Sequence, residues 1–194
     1  AGGFIALVQP LVEAGALPVD ALLACHSLTG YSGGGKGMIA DYESGCRPAA
    51  FDSPRQYGIS QQHKHLPEMA KISGLSNLPL FCPIVADFYS GMLVTVPLFA
   101  KALNPGFGIS ELKEIYAAKY SGPVVKYTES MDEAGFVSSN ALAGSDAMEI
   151  AVFGNEERIL LCSRFDNLGK GASGAAVQCI NLMTGADETT GLEL

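Results

Sequence analysis

The chain has 194 residues, 48% of them apolar and 16% charged, with a net charge of −8 at pH 7. Its length and apolar content suit one domain of ordinary size, or a large domain plus a fragment of a second, and exclude wholesale disorder. Only 12 basic residues are present, with no basic run interleaved with aromatics, which argues against a nucleic-acid partner.

In chain order, Phe4, Leu7, Val8 and Leu11 repeat at helical spacing, with Gly15 as a stop. The segment Leu22 to Leu28 reads as a strand. The glycine-rich turn Gly30 to Gly35 follows, then a helix from Lys36, and Glu43 to Ser60 reads as a long surface loop. Pro67 suits the first turn of a helix that runs to Ser73. Leu80 to Asp87 and Met92 to Ala100 are strand-like. Pro83, Asp87, Ser90, Gly91 and Pro97 break this apolar stretch, so it is not a membrane span.

Ser110 is a candidate N-cap for a helix stopped by Gly122-Pro123, and Val124 to Tyr127 is a short strand. Met148 to Gly154 and Ile159 to Phe165 form a predicted hairpin. A last helix after Asp166-Asn167 carries Ala172, Ala175, Ala176, Cys179, Ile180 and Met183 on one face, with Gly185 as its stop. This order predicts an α+β domain, a mixed and largely antiparallel sheet with helices on one face. The chain enters a helical pattern at Ala1 without a basic leader, so no signal peptide is expected, and such a start suggests a processed or truncated chain.

Two glycine motifs carry ambiguous signals. Gly30 to Gly37 spells G-x-x-x-x-G-K-G, a near match to a phosphate-binding loop, but Gly37 stands where a magnesium-ligating hydroxyl belongs. Gly169, Gly171 and Gly174 spell G-x-G-x-x-G, but too little chain follows for a complete βαβ unit. Tight packing of the last helix, or close approach of a cofactor, accounts better for them.

His63-Lys64-His65 lies just before Pro67, where helix-end potential favours a neutral imidazole able to accept a proton. On the residues alone a structural or surface role for the pair is the favoured reading; a metal pair lacks further ligands. His26 is expected as a hydrogen-bonded strand residue. The five cysteines, Cys25, Cys46, Cys82, Cys162 and Cys179, are odd in number and widely spaced, which argues against a disulfide framework. Cys46 lies in the long loop, and the other four are expected to be small core residues.

Several local patterns together resemble one family. They are Gly3-Phe4-Ile5-Ala6-Leu7, Ser27-Leu28-Thr29-Gly30-Tyr31-Ser32-Gly33-Gly34-Gly35-Lys36, His63-Lys64-His65-Leu66-Pro67-Glu68-Met69, Val152-Phe153-Gly154-Asn155, and the run Asp166-Asn167-Leu168-Gly169-Lys170-Gly171-Ala172 with its continuation to Gln178. In this order they resemble the N-acetyl-γ-glutamyl-phosphate reductases of the shorter bacterial type.

The resemblance implies a C-terminal catalytic domain like that of glyceraldehyde-3-phosphate dehydrogenase. Residues 1–165 would bind substrate and form the oligomer interface. Residues 166–194 would return to pack on an NADP-binding Rossmann domain absent from this sequence. The family nucleophile is a cysteine in a Gly-Cys-Tyr turn, which would fall two residues before Ala1. His63 is implied as the acid/base partner of that thiol, with His65 orienting substrate or sharing the role. Ser32, Gly33, Gly34, Asn167, Gly171 and Ala172 would border NADP; Ser27, Gly30, Tyr31 and Lys36 would border the substrate. The resemblance further implies an acyl-phosphate substrate, a homo-oligomer (dimer or tetramer), a cytoplasmic location and no metal. The sister class, aspartate-semialdehyde dehydrogenase, and a non-catalytic subunit-binding fragment are the alternatives.

Overall fold

The computed structural model describes residues 1–194. Helix α1 (Gly2–Glu13) buries Phe4, Leu7, Val8 and Leu11, the stripe that its apolar spacing predicts. Pro10 lies inside this helix and has no amide proton for the carbonyl of Ala6. That carbonyl instead accepts the hydroxyl of Tyr120 at 2.8 Å, while Tyr116 donates to the neighbouring carbonyl of Leu7. Both tyrosines belong to or end the helix α4 (Ile109–Lys119), so α1 and α4 are tied by two hydrogen bonds, one of them to the carbonyl that Pro10 leaves free.

Strand β1 (Ala24–Gly30) begins two residues later than expected and leads through a 3-10 turn, Tyr31–Gly34, into α2 (Gly35–Glu43). The long loop after α2 contains a 3-10 turn and a two-residue strand, β2 (Arg55–Gln56), which its polar sequence did not announce. Arg47 organises this loop through Asp87, at 2.8 and 2.6 Å, and Asp52, at 2.7 Å. Helix α3 (Leu66–Ser73) starts at Pro67's first turn and ends at Gly74, whose φ of +75° suits a residue without Cβ.

Strands β3 (Leu80–Ala86) and β4 (Met92–Phe99) are followed by α4, β5 (Val125–Tyr127), and the hairpin β6 (Met148–Gly154) and β7 (Arg158–Phe165). Ser110 does not cap α4. Gly108 occupies the cap, and its amide donates to Glu111 Oε2 at 2.8 Å. After β7 comes a π turn, Gly169–Ser173, and then α5 (Gly174–Thr184).

The seven strands form one mixed sheet in the order β2-β3-β1-β4-β7-β6-β5. The β1/β3 and β5/β6 pairs are parallel and the other pairs antiparallel, the largely antiparallel layout expected. Helices α1, α3 and α4 contribute to one apolar core with Val94, Val96, Ile150, Ile159 and Leu161 from the sheet. Residues Met131 and Val137, from the loop before β6, cover part of the opposite face at Ala151 and Cys162. Arg164, only 7% exposed, pins that loop by bonding Glu133 at 2.5 Å and Glu149 at 2.9 Å. The rest of that face is open: Leu80, Phe99 and Leu160 are exposed, and so is His26, whose ring makes no hydrogen bond, contrary to the expectation of a satisfied strand histidine. Cys25 and Cys162 are buried as expected, but Cys82 is partly exposed and Cys179 is exposed.

Candidate active site

Chain reversal at the end of β1 opens a cleft of about 770 Å³ on the helical side of the sheet. Its floor is the helix-facing side of β1, where Cys25, Ser27 and Thr29 alternate inward. The amino-terminal end of α1 lies at this floor. A Cβ on Gly3 would come within 2.6 Å of Ser163 Oγ, so only glycine lets α1 seat this close to β7.

One wall is the turn bearing Gly30, Ser32, Gly33 and Gly34; the opposite wall is the His63–Glu68 segment leading into α3. The third wall is Asn167, Leu168, Gly171, Ala172 and Ala175 at the entry to α5. Ten of the twelve proposed site residues therefore line one cleft: Ser27, Gly30, Ser32, Gly33, Gly34, His63, His65, Asn167, Gly171 and Ala172.

Tyr31 and Lys36 are not brought to it. The Tyr31 ring stacks on Tyr42 at 4.7 Å, with its hydroxyl toward Glu43, and Lys36 is exposed outside the cleft lining. The 3-10 turn rotates Tyr31 off the cleft side, and the phosphate-loop geometry that would aim Lys36 inward does not form.

The two histidines stand 5.0 Å apart, ring to ring. The His65 amide donates to His63 Nδ1 at 3.3 Å, so a neutral His63 ring carries its proton on Nε2. His65 Nδ1 lies 3.2 Å from Glu68 Oε2; the carboxylate can only accept, so the proton sits on Nδ1 and Nε2 keeps a free lone pair. Both imidazoles are held below their ordinary pKa of 6.5, chiefly by burial. His65 and Lys64 push His63 further down; on His65, Glu68 opposes Lys64. Desolvation, the leading cause of both shifts, favours the neutral form of each ring. Burial pushes the Cys25 thiol up to about 12, so it is inert despite its place on the cleft floor.

Asn167 is a clamp that its sequence position alone did not reveal. Its Oδ1 accepts the Gly91 amide at 2.8 Å and its Nδ2 donates to Ser32 Oγ at 2.9 Å. Beside it, the buried carboxylate of Asp166 accepts from Ser90 Oγ at 3.2 Å, from the Leu168 amide at 2.8 Å and from the Gly144 amide. The glycines of the last motif serve packing: a Cβ on Gly169 would strike Asp146 Oδ1 at 2.9 Å, and Gly174 abuts the same carboxylate. No group of three or more His, Cys, Asp or Glu side chains is placed to hold a metal ion.

The fold is that of a semialdehyde dehydrogenase dimerisation domain. The chain belongs to that family, matching the domain described as "Semialdehyde dehydrogenase, dimerisation domain" over residues 1–167. Within it, the chain is similar to N-acetyl-γ-glutamyl-phosphate reductases. It is 41% identical to N-acetyl-gamma-glutamyl-phosphate reductase 2 of Nostoc sp., over 98% of this chain and 63% of the relative. The enzyme of Brucella ovis is 39% identical over 94% of this chain and 61% of its own length. The chain thus spans under two thirds of these relatives, corresponding to a C-terminal portion.

Among solved structures, a probable aspartate-semialdehyde dehydrogenase from Pseudomonas aeruginosa aligns with a TM-score of 0.66 at 15% identity, over 94% of this chain and 61% of that one. Aspartate semialdehyde dehydrogenase II from Vibrio cholerae aligns with a TM-score of 0.62 at 16% identity, over 93% and 58%. At such identities the likeness speaks for the fold alone.

Proposed function

We propose that the chain is the substrate-side portion of a cytoplasmic, NADP-dependent reductase of arginine biosynthesis. It would convert N-acetyl-γ-glutamyl phosphate to N-acetylglutamate 5-semialdehyde with release of phosphate. The observation that carries this reading is a single cleft in which His63 and His65 face both the Ser27–Gly34 turn and the start of α1. The family's reacting cysteine belongs to the turn ahead of α1, outside this sequence. Its thiolate would attack the acyl carbon, the bond to the phosphate oxygen would break, and an acyl thioester would remain.

His65 is better suited than His63 to take the thiol proton, because its Nε2 lone pair is free and Glu68 orients the ring. His63, with its proton on Nε2, is suited to donate a hydrogen bond to the carbonyl oxygen as negative charge develops there. This reverses the emphasis of the sequence reading, which gave the thiol to His63.

NADPH, when bound, supplies the hydride that reduces the acyl group. The donor set fits its carboxamide: after its internal bonds Asn167 retains one N–H and one lone pair, a donor and an acceptor side by side. Gly171 and Ala172 keep that wall free of bulky side chains, and Gly33 does the same on the neighbouring turn. The exposed Ile180, Leu182 and Met183 of α5 support the reading that residues 166–194 pack on the NADP-binding domain, and residues 1–165 form the substrate and oligomer domain.

The test is turnover by the full-length enzyme of N-acetyl-γ-glutamyl phosphate against β-aspartyl phosphate. We expect the first to be preferred, and His65→Asn to lower kcat/KM by about 100-fold or more. Preference for the aspartyl compound, or wild-type rates in His65→Asn, overturns the assignment.

A further inference from the structure

The cleft lining holds few formal charges, and most are committed. Glu68 is bonded to His65 Nδ1. Lys170 lends its stem to the wall, but its ammonium is tied to Gln178 Oε1, which lies outside the lining. No arginine lines the cleft: Arg47 is engaged by Asp52 and Asp87, Arg55 lies over Phe51, and Arg164 is buried on the far face of the sheet. Lys64 differs. It lines the cleft between the two histidines, its side chain is exposed, and it makes neither an ion pair nor a hydrogen bond within the chain. Its charge reaches both rings, since it helps to hold His63 and His65 below their ordinary pKa.

We propose that Lys64 is the substrate-anion ligand of this cleft, its ammonium receiving an oxyanion, phosphoryl or carboxylate, of the molecule that reacts between His63 and His65. An exposed ammonium among neutral imidazoles, with the cleft's one carboxylate already paired, leaves a positive field that a dianionic acyl phosphate satisfies. The reading deepens the proposed reductase activity and rests on it. Three consecutive residues, His63, Lys64 and His65, line this one cleft, so the cation belongs to the same segment as the two rings.

The experiment uses the full-length enzyme with Lys64→Gln and Lys64→Arg. Binding of inorganic phosphate and of N-acetylglutamate, the substrate skeleton without its phosphoryl group, is measured by calorimetry for each, beside kcat and KM. In Lys64→Gln the affinity for one anion is expected to fall by about tenfold or more, with a matching rise in KM and a smaller change in kcat. Lys64→Arg is expected to restore most of it. Loss confined to phosphate assigns the phosphoryl group; loss confined to N-acetylglutamate assigns the carboxylate. Unchanged affinity for both anions in a folded Lys64→Gln enzyme overturns the proposal. Because anion binding is read without turnover, failure of the reductase assignment leaves this test intact.

Discussion

Protonation of His63 and His65 makes the fold less stable in mild acid. Their folded pKa values lie below the 6.5 expected of an unfolded chain, so the unfolded state binds more protons as pH drops through that region. Their contribution to stability is therefore fully present above pH 6.5 and declines as pH falls below it, toward the lower folded values. Urea midpoints measured at pH 7.5 and 5.5 should differ by more in the wild type than in His63→Gln/His65→Gln; equal differences would show that other groups govern the acid side.

The His-Lys-His-x-Pro run was legible because Pro67 marks a helix start and fixes where the rings sit relative to it. The positions of Tyr31 and Lys36 were not legible. Which side of a glycine-rich turn a side chain takes depends on whether the chain coils as a 3-10 turn, and Gly33, Gly34 and Gly35 permit several paths. The Asn167 clamp was hidden for another reason: its partners, Ser32 and Gly91, are far away in sequence.

At the scale of elements, apolar periodicity placed α1, β3, β4 and the β6–β7 hairpin to within a residue or two. Strand β2 escaped because two polar residues paired on an edge carry no periodic signal. The loop before β6 also looked featureless, yet Arg164 fastens it to the sheet through Glu133 and Glu149. Removing Glu149 leaves a buried guanidinium half satisfied, so Glu149→Ala should cost about 3 kcal/mol by denaturant unfolding. Faster amide exchange across residues 128–145 should accompany it. A loss under about 0.5 kcal/mol would mean that Glu133 alone suffices.

Across the whole molecule, the strands read as buried because apolar residues occupy both of their faces. The sequence could not say that one face awaits cover from elsewhere. Leu80 and Leu160 remain exposed on that face, and Phe99 is 60% exposed. Membership of a dimerisation-domain family supports a second copy of the protein as the cover. Phe99→Glu/Leu160→Glu in the full-length enzyme should shift the sedimenting species toward monomer at micromolar concentration. An unchanged oligomer would locate the contact on another surface.

Pro10 has a bearing on how this lineage can drift. Replacing it restores an amide that can join the Tyr120 hydroxyl at the carbonyl of Ala6, whereas losing Tyr120's hydroxyl strands that carbonyl between two helices. The carbonyl of Ala6 has two lone pairs and can accept a restored amide and the Tyr120 hydroxyl together, so Pro10 can change first without leaving a group unmatched, whereas Tyr120 cannot lose its hydroxyl while Pro10 is in place: the two sites are coupled in one order only.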